Sequence, residues 1–318
     1  MRRAALAAAA LLLAAGGAGA EEAFITAQPA NAVAVIDLAA AGGAGAVVAQ
    51  IPVPGAPAGI AVTRDGRRAY VTSPDDKMLS AIDTASRTVV ARWPVGGGPL
   101  GIAVAPSGTP VFVADWYDHH LLVIDPDRPE LRRQAETGRS PSGVAVTPDG
   151  ALVLTADRDD DGVSVIDARS LQRLAVIPVG QRPFGITLDA EGRRAYTANV
   201  GSNDVSVIDV RKRTVVGTVK VGERPYGVAL AQGLAFVTNQ YAGSVSVFDV
   251  ATLAPRGTIA VGEYPEGIAA SGDGTKVYVA NWFDNTLSVI DVKTLTVTGA
   301  VPVADGPRAF GAFIRRDP

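Results

Sequence analysis

The run Asp157-Arg158-Asp159-Asp160-Asp161-Gly162 combines carboxylates at alternate positions with a glycine at the sixth, the first half of a calcium-binding loop. Asp157, Asp159 and Asp161 would supply the oxygens that a hard divalent cation requires. The second half of the pattern is missing. Position twelve is Ala168 where glutamate belongs, and Val165 replaces a further expected carboxylate. An EF-hand is excluded, so the run stands as a candidate calcium loop beside the plainer reading of a solvated acidic turn. The chain's two histidines, His119 and His120, are adjacent. Neighbours in an extended segment point to opposite faces, which argues against a shared metal.

A second set of residues suits ligand capture. Trp116 with Tyr117 and Trp282 with Phe283 place rings on two widely separated loops. Arg139, Arg182, Arg224 and Arg308 sit near a recurring Pro-x-Gly element or its variant, joined by Phe184, Tyr226 and Tyr264. Guanidinium groups next to aromatic rings can hold a carboxylate or phosphate bidentately while stacking an apolar moiety. In the competing reading the rings wedge between structural units and the arginines pair with Glu223 or Glu263. The absence of cysteine rules out thiol nucleophiles, thiolate-held iron-sulfur clusters and disulfides. No serine-histidine-acid constellation has positional support.

These residues sit on a repeat. A Val-Ile-Asp mark recurs with its aspartate at Asp37, Asp83, Asp125, Asp167, Asp209, Asp249 and Asp291, a period of about 42 residues. The glycine of Pro-x-Gly keeps step at Gly59, Gly101, Gly143, Gly185, Gly227 and Gly267, with Gly311 in a variant. Each unit reads as four short strands: the stretch after Pro-x-Gly, an apolar and aromatic run such as Val111-Phe112-Val113-Ala114, the Val-Ile-Asp strand, and a closing strand such as Arg213 to Val219. Asp65-Gly66, Asp149-Gly150 and Asp273-Gly274 fit tight hairpin turns. Four strands per repeat of this length describe a β-propeller blade. The first Val-Ile-Asp mark lacks a preceding Pro-x-Gly strand, and the last such strand, Gly311 to Ile314, has nothing after it. The expected fold is therefore all-β, a seven-bladed propeller of four-stranded blades, closed by pairing the C-terminal strand with the segment Phe24 to Val53 in one shared blade. The seven aspartates end strands and precede turns, a position where a carboxylate accepts hydrogen bonds from local backbone.

Ala69-Tyr70-Val71-Thr72, Ala235-Phe236-Val237-Thr238-Asn239 and Val277-Tyr278-Val279-Ala280-Asn281 are variants of a Tyr-Val-Thr-Asn repeat. On these residues the chain resembles the YVTN-type β-propeller proteins, which include bacterial exported propellers and archaeal surface-layer proteins. The resemblance covers residues 24 to 314. It implies the fold and leaves the activity open, because this architecture hosts unrelated functions.

Arg2 and Arg3, the apolar run Ala4 to Ala15 and the small residues Ala18-Gly19-Ala20 read as a signal peptide over residues 1–20, removed to leave one domain over 21–318. No later stretch is long and apolar enough to span a bilayer. The expected location is periplasmic or secreted. With 29 basic against 32 acidic side chains, double-stranded nucleic acid is disfavoured as a partner. The expected function is non-enzymatic binding or scaffolding: capture of an envelope protein, a peptide or an anionic small molecule on the loop-rich face by Trp116, Tyr117, Arg139, Arg182, Arg224, Tyr226, Tyr264, Trp282 and Arg308. No cofactor is expected beyond candidate calcium. The alternatives are a metal-dependent periplasmic hydrolase or oxidoreductase accessory protein, and single-strand nucleic-acid binding through stacked rings.

Overall fold

Segments such as Arg194–Asn199 and Asp204–Asp209 carry β-branched and aromatic side chains without helical period, and they form central strands buried on both faces. Outer strands such as Thr214–Lys220 are mostly exposed. The computed structural model describes residues 21–43 and 45–316, and the expected signal peptide, residues 1–20, lies outside them. Seven sheets result. Blades 2 to 7 begin with the inner strands Gly59–Val62, Pro99–Val104, Pro141–Val146, Pro183–Leu188, Pro225–Ala231 and Pro265–Ala270, and each continues outward as an antiparallel meander. Blade 1 consists of Glu22–Ala27, Ala32–Asp37 and Ala46–Pro52, completed from the other end of the chain by Ile314–Arg315.

The two ends of the chain share a blade as expected, but the closing strand is Ile314–Arg315 rather than Gly311 to Ile314, and its partners begin before Phe24. Ile314 and Arg315 pair antiparallel with Ala23 and Glu22. The preceding residues Phe310–Ala312 leave that blade and pair in parallel with Gly59–Val62 of blade 2. Gly311 makes this departure feasible: its φ is +128°, and the Ile60 carbonyl occupies the space of a Cβ. Phe313 is then fully buried in the core joining blades 1, 2 and 7.

The Pro-x-Gly glycines form a second ring, around the axis. A Cβ at Gly143 would lie 2.5 Å from the Phe184 carbonyl of the next blade, and equivalent carbonyls crowd Gly59, Gly101, Gly185 and Gly267. Inner strands thus approach to backbone contact. In blades 3 to 7 the register slips across the x-Gly dipeptide, for example between Pro225 and Val228. Such a bulge re-aims a side chain, here bringing the x residues Phe184 and Tyr226 together with Phe310 of the closing segment.

The remaining repeat residues cement the blades. Thr72 Oγ1 donates to the Leu100 carbonyl at 2.7 Å and Thr238 Oγ1 to the Glu266 carbonyl at 2.9 Å, each crossing to the next blade. Asn199, Asn239 and Asn281 donate across their own blades to Ser206, Ser246 and Ser288. The Val-Ile-Asp carboxylates accept backbone N–H groups of the following turn, as Asp83 does from Ser86 and Asp291 from Thr294. The Ser86 amide first, and then the Arg68 guanidinium and the Ser86 hydroxyl, hold the Asp83 carboxyl down at about 2.

Candidate functional site

The loops joining second to third strands and those joining successive blades lie on one face, called the upper face below. They are tied together in pairs: the Arg182 carbonyl accepts from Val200 N–H, and the Tyr264 carbonyl from Trp282 N–H. Side chains reinforce the pairing. Asn31 Oδ1 accepts from Ala56 N–H at 2.9 Å, Asn203 Oδ1 from Arg224 N–H at 2.8 Å, and Asn285 Oδ1 from Gly306 N–H at 2.8 Å. Arg182, Arg224 and Tyr264 adopt left-handed backbone angles before their prolines. The repeat therefore fixes these backbones firmly and leaves their side chains free to vary.

At the axis the upper mouth is closed by rings. Phe184 lies 4.2 Å from Tyr226 and 5.0 Å from Phe310 between centroids, with Trp116 at 6.0 Å from Phe184. Beside this plug lies a buried polar network. Arg308 Nε is 3.0 Å from Glu266 Oε2, Arg308 Nη2 donates to Tyr226 Oη at 2.6 Å, and Arg308 Nη1 donates to Gln28 Oε1 at 3.1 Å. Gln240 Nε2 donates to Glu266 Oε1 at 2.6 Å and accepts on Oε1 from Arg224 Nε. The guanidinium of Arg308 also lies 5.7 Å from the Trp282 ring centroid. Burial raises the pKa of Glu266 against the pull of Arg308, and burial likewise raises Tyr226. Burial works against the charge on Arg308, but Glu266 and Tyr226 outweigh it and keep the guanidinium protonated.

Farther out, the rings face water. Tyr241 and Phe283 are 54% and 61% exposed, and Tyr264 lies between them with centroid distances of 5.7 and 4.8 Å. Arg224 stacks 4.7 Å over Tyr241 and donates to its hydroxyl at 3.0 Å. Burial raises the pKa of Tyr264.

The structure thus gathers Tyr226, Trp282 and Arg308, links Arg224 to them through Gln240 and Glu266, and reaches Trp116 through Phe184. It does not bring Arg139, Arg182, Arg224 and Arg308 together as one anion-binding group. Arg139 is turned to Asp160, with Nε to Oδ1 at 2.6 Å. Arg182 is exposed, and its guanidinium has no partner among the described residues. Tyr117 projects into solvent against Gly98. Arg308 is only 18% exposed and is neutralised by Glu266.

The candidate calcium ligands are also divided. Asp157 is buried and accepts from Thr155 and Ser164 at 2.7 and 2.5 Å, Asp159 binds Ser140 and Arg158, and Asp161 accepts from Arg182 N–H at 2.7 Å. Asp157 stands where other blades have Asn199, Asn239 and Asn281, and Asp161 stands where they have Asn203 and Asn285, so the spacing that suggested calcium reflects two scaffold positions of the repeat. Among the described residues, no group of three His, Asp or Glu side chains is arranged to hold a metal. His119 accepts from Ser140 N–H while His120 faces the Asp118 carbonyl, so the two rings are used separately.

Three residues of the network were not singled out by the sequence reading: Glu266, Gln240 and Gln28. Glu266 carried a signal. It occupies the x position of Pro-x-Gly, where the other blades have Ala58, Leu100, Ser142, Phe184, Tyr226 and Phe310. Below the plug, the axial channel opens to the opposite face as a cavity of about 710 Å³ lined by aliphatic residues such as Ile102, Val144, Ile186 and Val228. Thr187 spends its hydroxyl on the Val228 carbonyl.

Comparison with known proteins agrees with this architecture. Residues 5–106 match the family described as YNCE-like beta-propeller, a YVTN-type propeller family. No curated protein matches the chain. Among solved structures, Kuenenia stuttgartiensis hydrazine synthase is similar with a TM-score of 0.72 and 17% identity, over 80% of this chain and 89% of that one. A functionally unknown protein from Desulfotomaculum acetoxidans DSM 771 is similar with a TM-score of 0.77 and 17% identity, over 90% of this chain and 98% of that one. At such identity the likeness shows the fold alone.

Proposed function

We propose that this YVTN-type propeller is an exported, non-enzymatic binding protein that captures a peptide or protein partner on its upper face. The observation that carries the reading is the exposed Tyr241–Tyr264–Phe283 stack with Arg224 over its edge. Tyrosine, phenylalanine and arginine are enriched where proteins meet, and aromatic rings supply contact area at small entropic cost. The underlying loops are held by interblade hydrogen bonds, so the surface is preorganised and little ordering free energy opposes binding. Capture of an anionic small molecule receives less support, because Glu266 neutralises Arg308 and Asp160 occupies Arg139.

A displayed random-peptide library, selected on the wild-type protein and counter-screened on Tyr241→Ala/Phe283→Ala, tests this reading. Selected peptides should lose binding to the variant while its melting curve stays unchanged. Clones that bind both proteins equally would remove the upper face as the site. Export rests on the composition of residues 1–20. N-terminal sequencing of protein from the envelope fraction should begin at Glu21, and a chain retained in the cytosol with its first residues intact would sink that part.

A further inference from the structure

We infer that the segment captured at the edge of blades 6 and 7 is cationic, an arginine-bearing stretch of a partner protein; the inference rests on the upper face being the binding surface. The exposed rings have acidic residues as backbone neighbours. Tyr241 N–H donates to the Glu223 carbonyl and Phe283 N–H to the Glu263 carbonyl, so each exposed ring is tied to the backbone of an exposed glutamate. Asp284 follows Phe283, and its Oδ2 accepts from Glu263 N–H at 2.7 Å. Among the described residues, the carboxylates of Glu223 and Glu263 have no cationic partner. Of the two nearby arginines, Arg308 is neutralised within the mouth, whereas Arg224, stacked on Tyr241 and bonded to the neutral Gln240, keeps its charge and offsets one of the three carboxylates of Glu223, Glu263 and Asp284.

An aromatic stripe whose neighbouring acidic residues outnumber its one unneutralised arginine is complementary to further guanidinium groups, for which Tyr264 and Phe283 supply rings that Arg224 does not cover. Arginine stacks its planar face on Tyr or Phe and directs its donors sideways to carboxylates, which lysine does less well. The same carboxylates repel phosphates, so a single-stranded nucleic acid suits the rings but not their borders.

The test uses the full-length protein and three short fluorescein-labelled peptides that alternate glycine with arginine, lysine or glutamate, read by fluorescence anisotropy. The arginine peptide should bind more tightly than the lysine peptide, and the glutamate peptide should not bind. Tyr241→Ala/Phe283→Ala should weaken the arginine peptide about tenfold or more. Glu223→Gln/Glu263→Gln should weaken it about two- to fivefold at low salt, with the difference fading as salt rises. Equal binding of the glutamate peptide, indifference to both double variants, or ring-dependent binding of a labelled oligothymidylate in place of the arginine peptide would overturn the inference. Library peptides that need Tyr241 and Phe283 but carry no positive charge would sink the inference while leaving the proposed function standing. Library peptides indifferent to both rings would sink the two together.

Discussion

Replacing Asp157 by asparagine should stabilise this protein at neutral pH. The carboxyl is fully buried in blade 4, and burial pushes its pKa up to about 6 against the hydrogen bonds from Ser164, Thr155 and Gly138. Its value in the unfolded chain is near 3.8. A carboxyl whose folded pKa is raised takes up protons on folding, so between pH 4 and 6 the folded state holds more protons and stability falls as pH rises. Two pKa units at about 1.4 kcal/mol each amount to roughly 3 kcal/mol of destabilisation, absent below pH 4 and complete above pH 6. The asparagine variant carries no such penalty and has a ready partner: Asn199, Asn239 and Asn281 each donate to a serine at the position of Ser164. With an unfolding entropy of roughly 2.1 cal/mol/K per residue, the gain corresponds to about 5 °C in melting temperature. Differential scanning calorimetry of both proteins from pH 3.5 to 8 should show a difference that opens between pH 4 and 6 and then stays constant. A variant that melts below wild type at pH 7.5, or a difference independent of pH, would refute the burial argument. A calcium-dependent rise in wild-type melting temperature that Asp157→Asn abolishes would return this residue to a metal-binding role.

Arg308→Met leaves Glu266 buried without its counter-charge and should cost about 3 to 5 kcal/mol in urea unfolding, with Arg308→Met/Glu266→Leu recovering much of it; a double variant as unstable as the single would show that the charges are not coupled. Ending the chain after Pro307 removes Phe313, whose loss to alanine alone is worth about 3 to 5 kcal/mol, together with both closing strands. The melting temperature should fall by many degrees, and an unchanged melting curve would remove the closure of the ring. Gly143→Ala sets a methyl against the Phe184 carbonyl and should cost roughly 1 to 3 kcal/mol by overpacking, whereas a neutral effect would mean that the inner strands can part freely.

Much of the candidate site was visible one residue at a time and misleading as a group. Arg139, Arg182, Arg224 and Arg308 share a place near Pro-x-Gly, yet they meet different neighbours: Asp160, solvent, Gln240 with Tyr241, and Glu266 with Tyr226. The acidic run 157–161 has the intervals of a calcium loop, but a strand terminus turns Asp157 inward while the turn sends Asp161 to the next blade. Glu266 is the converse case. It is the one acid at the x position of Pro-x-Gly, and its meaning comes from the buried mouth of the axis that this position lines.

The sequence by itself determined the blade period, the number of blades and the sharing of one blade between the two ends of the chain. Those follow from local alternation and turn chemistry repeated at a fixed interval, which a linear pattern records in full. Tertiary structure alone decided that Arg308 reaches Gln28, Tyr226 and Glu266, that Phe310–Ala312 crosses to blade 2, and that Tyr241, Tyr264 and Phe283 form one exposed stripe. The physical reason is ring closure, which brings residues from opposite ends of the chain and from different blades to one mouth, where contacts depend on side chains that the repeat leaves free.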